Sequence, residues 1–157
     1  MTIEDIKEEL HRYEHDCKMI DDFEKEVEFY NSKLYSCTSQ LNDTTKGGKM
    51  LQDKIAEYIS KLEDLKAEKY ERLIELEDRK DFVEKVIAKI KQPYRRLLHI
   101  TYIQEWECED ERGNMRAEIG HTLDQTAYIM GYAYKYTCRL HGRALQEYLK
   151  ARGNQDV

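Results

Sequence analysis

The chain has 157 residues, 37% of them charged and 40% hydrophobic, with seven glycines and one proline; this leaves room for one or two small domains and argues against a large catalytic fold. Charge well above the roughly 25% of an average globular chain points to long solvated helix faces, and scarce glycine and proline disfavour turn-rich sandwiches and barrels. The net charge of −6 is unevenly placed, with 17 basic and 23 acidic side chains in residues 1–92 and nine of each in residues 93–157.

No run approaches the roughly 18 to 20 apolar residues of a membrane span, and residues 1–10 are too acidic for a secretory signal. The expectation is a cytoplasmic-type chain with no membrane partner. Cys17, Cys37, Cys108 and Cys138 are widely spread and lack CxxC spacing, which reads as reduced thiols rather than a disulfide framework or zinc finger.

Apolar residues recur as Ile3, Ile6, Leu10, Tyr13, Cys17, Ile20, Val27, Leu34 and Leu41, an alternating three-and-four spacing that predicts a helix with a coiled-coil seam. A second run, Leu51, Ile55, Tyr58, Leu62, Leu65, Leu73, Leu76, Val83, Val86 and Ile90, is interrupted by Lys69 and Lys80 and predicts another helix. Residues 42–49 hold Asn42, Asp43, Thr44, Thr45, Gly47 and Gly48, the stop signals at which the two helices fold back. Each arm, about 60 Å long at the helical rise, carries a narrow stripe to be covered by the other arm, a second copy of the chain, or both. Self-association is favoured over docking of a host protein. Pro93 ends this region, because the residue before a proline is pushed out of helical conformation and proline suits a first helical turn. Residues 94–106, with Leu97, Leu98, Ile100, Tyr102 and Ile103, supply one short buried helix.

Thr122 is a cap for a helix whose apolar face is Leu123, Ala127 and Met130, and Gly131 permits the left-handed turn that ends it. A second helix from about Ala133 would bury Thr137, Leu140, Ala144 and Tyr148, turning Lys135, Cys138 and Arg139 the other way. This is a helix-turn-helix pattern. A recognition helix offers donors from its first turns while its back packs on the preceding helix. Arg139 suits a bidentate contact to guanine, Lys135 a base or phosphate, and Tyr134 a phosphate or thymine methyl; Arg143, Arg95 and Arg96 suit phosphates. The competing reading makes all of them ordinary solvated surface. Residues 122–153 are locally basic, with Lys135, Arg139, Arg143, Lys150 and Arg152 against Asp124 and Glu147, and the local field matters more to a partner than the global sum.

Through Thr122-Leu123, Ala127, Gly131 and the run Leu140 to Leu145, the segment resembles the region 4 helix-turn-helix of bacterial sigma factors. More closely, QPYRRLLHITYIQ and GYAYKYTCRLHGRALQ resemble a family of short phage and prophage proteins of Gram-positive bacteria, similar in plan to the RinA and ArpU types of transcriptional regulator. The resemblance covers residues 93–152; over the N-terminal helices it is one of organisation. It places the family's Leu-His-Gly-Arg-Ala-Leu run on Leu140 to Leu145, the turn on Gly131 and Tyr132, and the DNA-facing positions on Lys135, Cys138 and Arg139. Cys138 departs from the pattern, since a thiol is a poor donor. Glu105 to His121 is a further departure, an insertion where the related proteins pass almost directly from helix to helix. There Trp106 and Cys108, then Met115, Ala117 and Ile119, alternate as in a short β-hairpin. An irregular loop is the other reading, and its acid content suits a protein-facing or structural role.

No glycine-rich phosphate loop, GxSxG elbow or HExxH is present, which argues against an enzyme. His99, Cys108, His121, Cys138 and His141 fit no standard metal spacing, and His141 is expected to pack beside the turn with one nitrogen on backbone or water. The expected architecture is all-α. A helical hairpin over residues 1–92 mediates homo-oligomerisation as a dimer, a sigma region-4-like helix-turn-helix over residues 93–152 binds double-stranded promoter DNA, and residues 153–157 form a tail. No cofactor is implied. The resemblance implies a phage transcriptional regulator in the cytoplasm of a bacterial host. The alternative is a phage factor that binds host RNA polymerase or another host protein, with DNA secondary or absent.

Overall fold

The computed structural model describes residues 1–43 and 48–154 and is mostly helical. Helix α1 spans Ile3–Asp43 and α2 spans Gly48–Ala88. Of the stop signals read in residues 42–49, Asn42 and Asp43 lie in α1 and Gly48 and Lys49 in α2, whereas residues 44–47 lie outside the described residues. Then come α3 (Tyr94–Leu98), a π-helical turn (His99–Ile103), strands β1 (Glu105–Glu109) and β2 (Met115–Ile119), α4 (Leu123–Met130) and α5 (Tyr134–Gly153). No helix among the described residues is long and apolar enough to cross a membrane.

The chain forms two compact units, one made of Met1–Asp16 with Arg79–Val157, the other of Cys17–Asp78. The segments 1–92 and 93–152 follow chain order; the compact units do not, because both outer ends of the helical arms pack with the C-terminal elements. In the first unit Ile6, Leu10 and Tyr13 of α1 and Val83, Val86 and Ile87 of α2 are buried together with Leu97, Leu98, Leu140, Ala144, Leu145 and Tyr148. Polar clamps add to this core. Arg79 grips the buried Asp16 with two nitrogens, Tyr13 donates its hydroxyl to Glu84 Oε1 at 2.5 Å, and Arg152 pairs with Glu9 at 3.0 Å while lying over the Phe82 ring.

The second unit is an antiparallel helix pair with a thin core. Ile20, Cys37, Leu62 and Leu76 are its buried apolar residues among those described, while Phe23, Val27, Tyr30, Leu34, Ile55, Tyr58, Leu65 and Leu73 are half-buried. Lys69, which interrupts the apolar stripe, places its ammonium 3.0 Å from Glu26 across the pair, so its aliphatic stem stays in the seam and its charge is matched at the edge. All four cysteines are free thiols.

Three details differ from the sequence expectation. Helix α2 ends at Ala88, before Pro93, where Lys89 and Ile90 bond back to Val86 and Ile87 in the tighter i→i−3 pattern; Pro93 instead precedes α3 as its cap. The short helix stops at Ile103, and Trp106 belongs to β1. The hairpin forms, but Trp106 pairs with Glu118 and Cys108 with Arg116. Directly paired residues share a face, so Trp106 and Cys108 lie opposite to Met115, Ala117 and Ile119. The five-residue turn sets this register: Asp110 N–H donates to Asn114 O at 2.8 Å, and the Asp110 carboxylate accepts from the Arg112 and Asn114 amides. Those amide bonds hold the Asp110 carboxyl below its ordinary pKa.

Candidate nucleic-acid interface

The region begins with a reciprocal cap. Gln125 N–H donates to Thr122 Oγ1 at 3.2 Å, and Thr122 N–H donates to Gln125 Oε1 at 3.1 Å, satisfying two donors that a helix start leaves open. Thr126, fully buried, meets Thr101 hydroxyl to hydroxyl at 3.2 Å and fixes α4 to the π-helical turn. Helix α4 ends at Gly131 with φ +72°. Tyr132 N–H reaches Ala127 O and Gly131 N–H reaches Tyr128 O, the paired bonds by which a left-handed residue closes a helix.

Helix α5 starts two residues after Tyr132. Thr137, Leu140, Ala144, Leu145 and Tyr148 form its buried back. Tyr134, Lys135, Tyr136, Arg139 and Arg143 are exposed. Among the described residues no carboxylate lies within 4.0 Å of the charged groups of Lys135, Arg139 or Arg143, so their donors are open to an external acceptor. Cys138 is half-buried one helical turn after Tyr134, and the nearby thiol raises the tyrosine's pKa.

Tyr128 is 89% exposed, and Tyr132 and Tyr136 meet edge to face at 5.2 Å. With Tyr134 they make a tyrosine surface around the turn that the sequence reasoning used only through Tyr134. Its signal was legible as YIMGYAYKY. Four tyrosines within nine residues are too many for one short helix to bury.

Of the seven candidate residues, Tyr134, Lys135, Cys138, Arg139 and Arg143 stand together on α5. Arg95 and Arg96 stand on α3 and line, with His99, a cavity that none of the α5 residues lines. His141 bonds through Nε2 to the Tyr102 hydroxyl at 2.7 Å, a side-chain partner in place of the expected backbone or water. Burial, with Lys7 and His11 nearby, pushes His141 down to about 4, and burial pushes Tyr102 up to about 12. At neutral pH the pair is therefore an un-ionised phenol against a neutral imidazole. His121 stacks on Trp106 at 4.7 Å, and Cys108 lies against Arg116. Among the described residues no three His, Cys, Asp or Glu side chains converge as metal ligands. Comparison with protein-family models, curated proteins and solved structures gives no match.

Proposed function

We propose that the protein is a sequence-specific DNA-binding regulator of the phage type, in which α4, the Gly131 turn and α5 act as a helix-turn-helix. The observation that carries this reading is the division of α5 into a buried back and an exposed front bearing Lys135, Arg139 and Arg143, which have no carboxylate partners among the described residues. A reading helix needs a rigid seat and free donors on its first turns. Arg139 serves base readout, Lys135 a base edge or phosphate, and Arg143 a phosphate. The surrounding tyrosines lay apolar rings and hydroxyls beside the sugar-phosphate chain.

Two copies would present two reading helices to two half-sites. Self-association through residues 17–78, as a coiled coil, is supported by the exposed Phe29, Ile59, Tyr70 and Ile74 beside a thin core, an apolar surface that a second copy would cover. Activation of phage genes at promoters is the role that the family resemblance suggests for such a molecule.

The test is selection of bound duplexes from a random pool by the full chain and by its Lys135→Ala, Arg139→Ala double variant. Enriched sequences are expected with the first and lost with the second, while Arg143→Ala weakens all sequences alike and lowers the salt slope by about 1. Enrichment that survives the double variant overturns the assignment. Salt-insensitive capture of RNA polymerase without duplex binding would replace it with the protein-interaction reading.

A further inference from the structure

A cavity of about 500 Å³ lies between the end of α2, α3 and the π-helical turn. Its apolar wall comes from Ile87, Ala88 and Ile103, of which Ile87 is 4% exposed. Arg95, Arg96 and His99 stand around it. Both arginines are exposed, and among the described residues neither has a carboxylate partner. The acid at the site is Glu84, whose Oε1 is already taken by the Tyr13 hydroxyl.

The backbone that carries these groups is held firmly. Gln92 Oε1 accepts from Arg96 N–H at 3.1 Å, and Gln104 N–H reaches back to His99 O at 2.8 Å, closing the wide turn. That turn brings His99 and Ile103, four residues apart, to one cavity. Single π-helical turns are often found where a helix is shaped around a site.

The volume falls within the roughly 300 to 1,000 Å³ of small-molecule sites, which combine an apolar lining with a few placed polar groups. A purely apolar occupant would make no use of the two solvated guanidinium groups, and a bare inorganic anion would make none of the apolar wall. A planar guanidinium matches a carboxylate or phosphoryl group with paired hydrogen bonds. We infer that this cavity binds a small amphipathic anion, a carboxylate or phosphate monoester on a hydrocarbon or aryl body, with Arg95 and Arg96 on the anion and the isoleucines on the body. The site is separate from the α5 surface and stands without the DNA-binding reading.

Calorimetric titration of the full chain with octanoate and with phenyl phosphate, followed by amide chemical-shift mapping, tests it. Saturable one-to-one binding of at least one of them is expected, with shifts at Ala88, His99 and Ile103; which of the two binds identifies the acid group. Arg95→Gln with Arg96→Gln should weaken binding at least about tenfold. Ala88→Trp, which fills the cavity and keeps both charges, should remove it. Thermal unfolding of each variant checks that the fold is retained, and octylamine should not bind. Absence of saturable binding by both anions overturns the inference, as does binding that persists in the folded Ala88→Trp protein or is unchanged in the folded double arginine variant.

Discussion

His141 and Tyr102 join the π-helical turn to α5 through one side-chain hydrogen bond. An unfolded imidazole takes up its proton near pH 6.5, whereas this one, buried and bonded to a tyrosine hydroxyl, does so near 4. A depressed pKa means that the unfolded chain binds the proton first as the pH falls. The stability that comes with burying a neutral imidazole here is therefore complete above about pH 6.5 and is lost as the pH falls towards about 4. Discounted for partial exposure, the loss is on the order of 2 kcal/mol. Urea unfolding of His141→Gln, which keeps a hydrogen-bonding group beside Tyr102 but cannot titrate, should show a correspondingly flatter dependence of stability on pH between 6.5 and 4 than the parent chain. Equal slopes would remove this role. The partnership was not legible beforehand: the two residues are 39 positions apart, and no local pattern links them.

The connections between elements separate two kinds of glycine. At Gly131 a new Cβ would meet nothing within 4 Å, so Gly131→Ala meets only the left-handed backbone penalty, about 1 kcal/mol. At Gly120, φ +76°, the Cβ would overlap the Thr101 carbonyl oxygen, and the backbone there also receives the Trp106 indole N–H at 2.7 Å. Gly120→Ala should therefore cost more, about 2 to 3 kcal/mol, by strain and a displaced hairpin; thermal unfolding of both variants measures the difference, and equal losses would contradict it. What the sequence disclosed at this level was local. Thr122 and Gly131 act within a turn of their own positions, so cap and stop were readable, whereas the return bond from Gln125 went unread. The alternation of residues 105–119 announced a hairpin, but a one-residue change of register reverses its faces, and that register hangs on the Asp110 turn. The cavity beside α3 needed the packing of α2 on it, which no periodicity encodes.

At the scale of the molecule, the apolar stripes announced the two long helices but not the allocation of their ends, because the stripe of α1 runs through Asp16 without a break and the interruption of α2 beside Arg79, at Lys80, is of the same kind as the one at Lys69 inside the second unit. The stripe is the same; its cover changes, from a many-sided core that includes α5 to a single facing helix. Within the first unit Asp16 and Arg79 stand side by side, held by two hydrogen bonds, although 62 residues intervene between them. Joining 16 to 79 through a short Gly-Ser link therefore closes a much smaller loop at little conformational cost. The spliced protein should keep its helical circular-dichroism spectrum and cooperative melting, and sedimentation should find it as a single chain. Loss of cooperative melting would mean that residues 17–78 are needed for the rest to fold. The salt-bridged residues thus mark a natural seam for recombination, at which the intervening helix pair can be exchanged for another insert while the first unit's core stays whole.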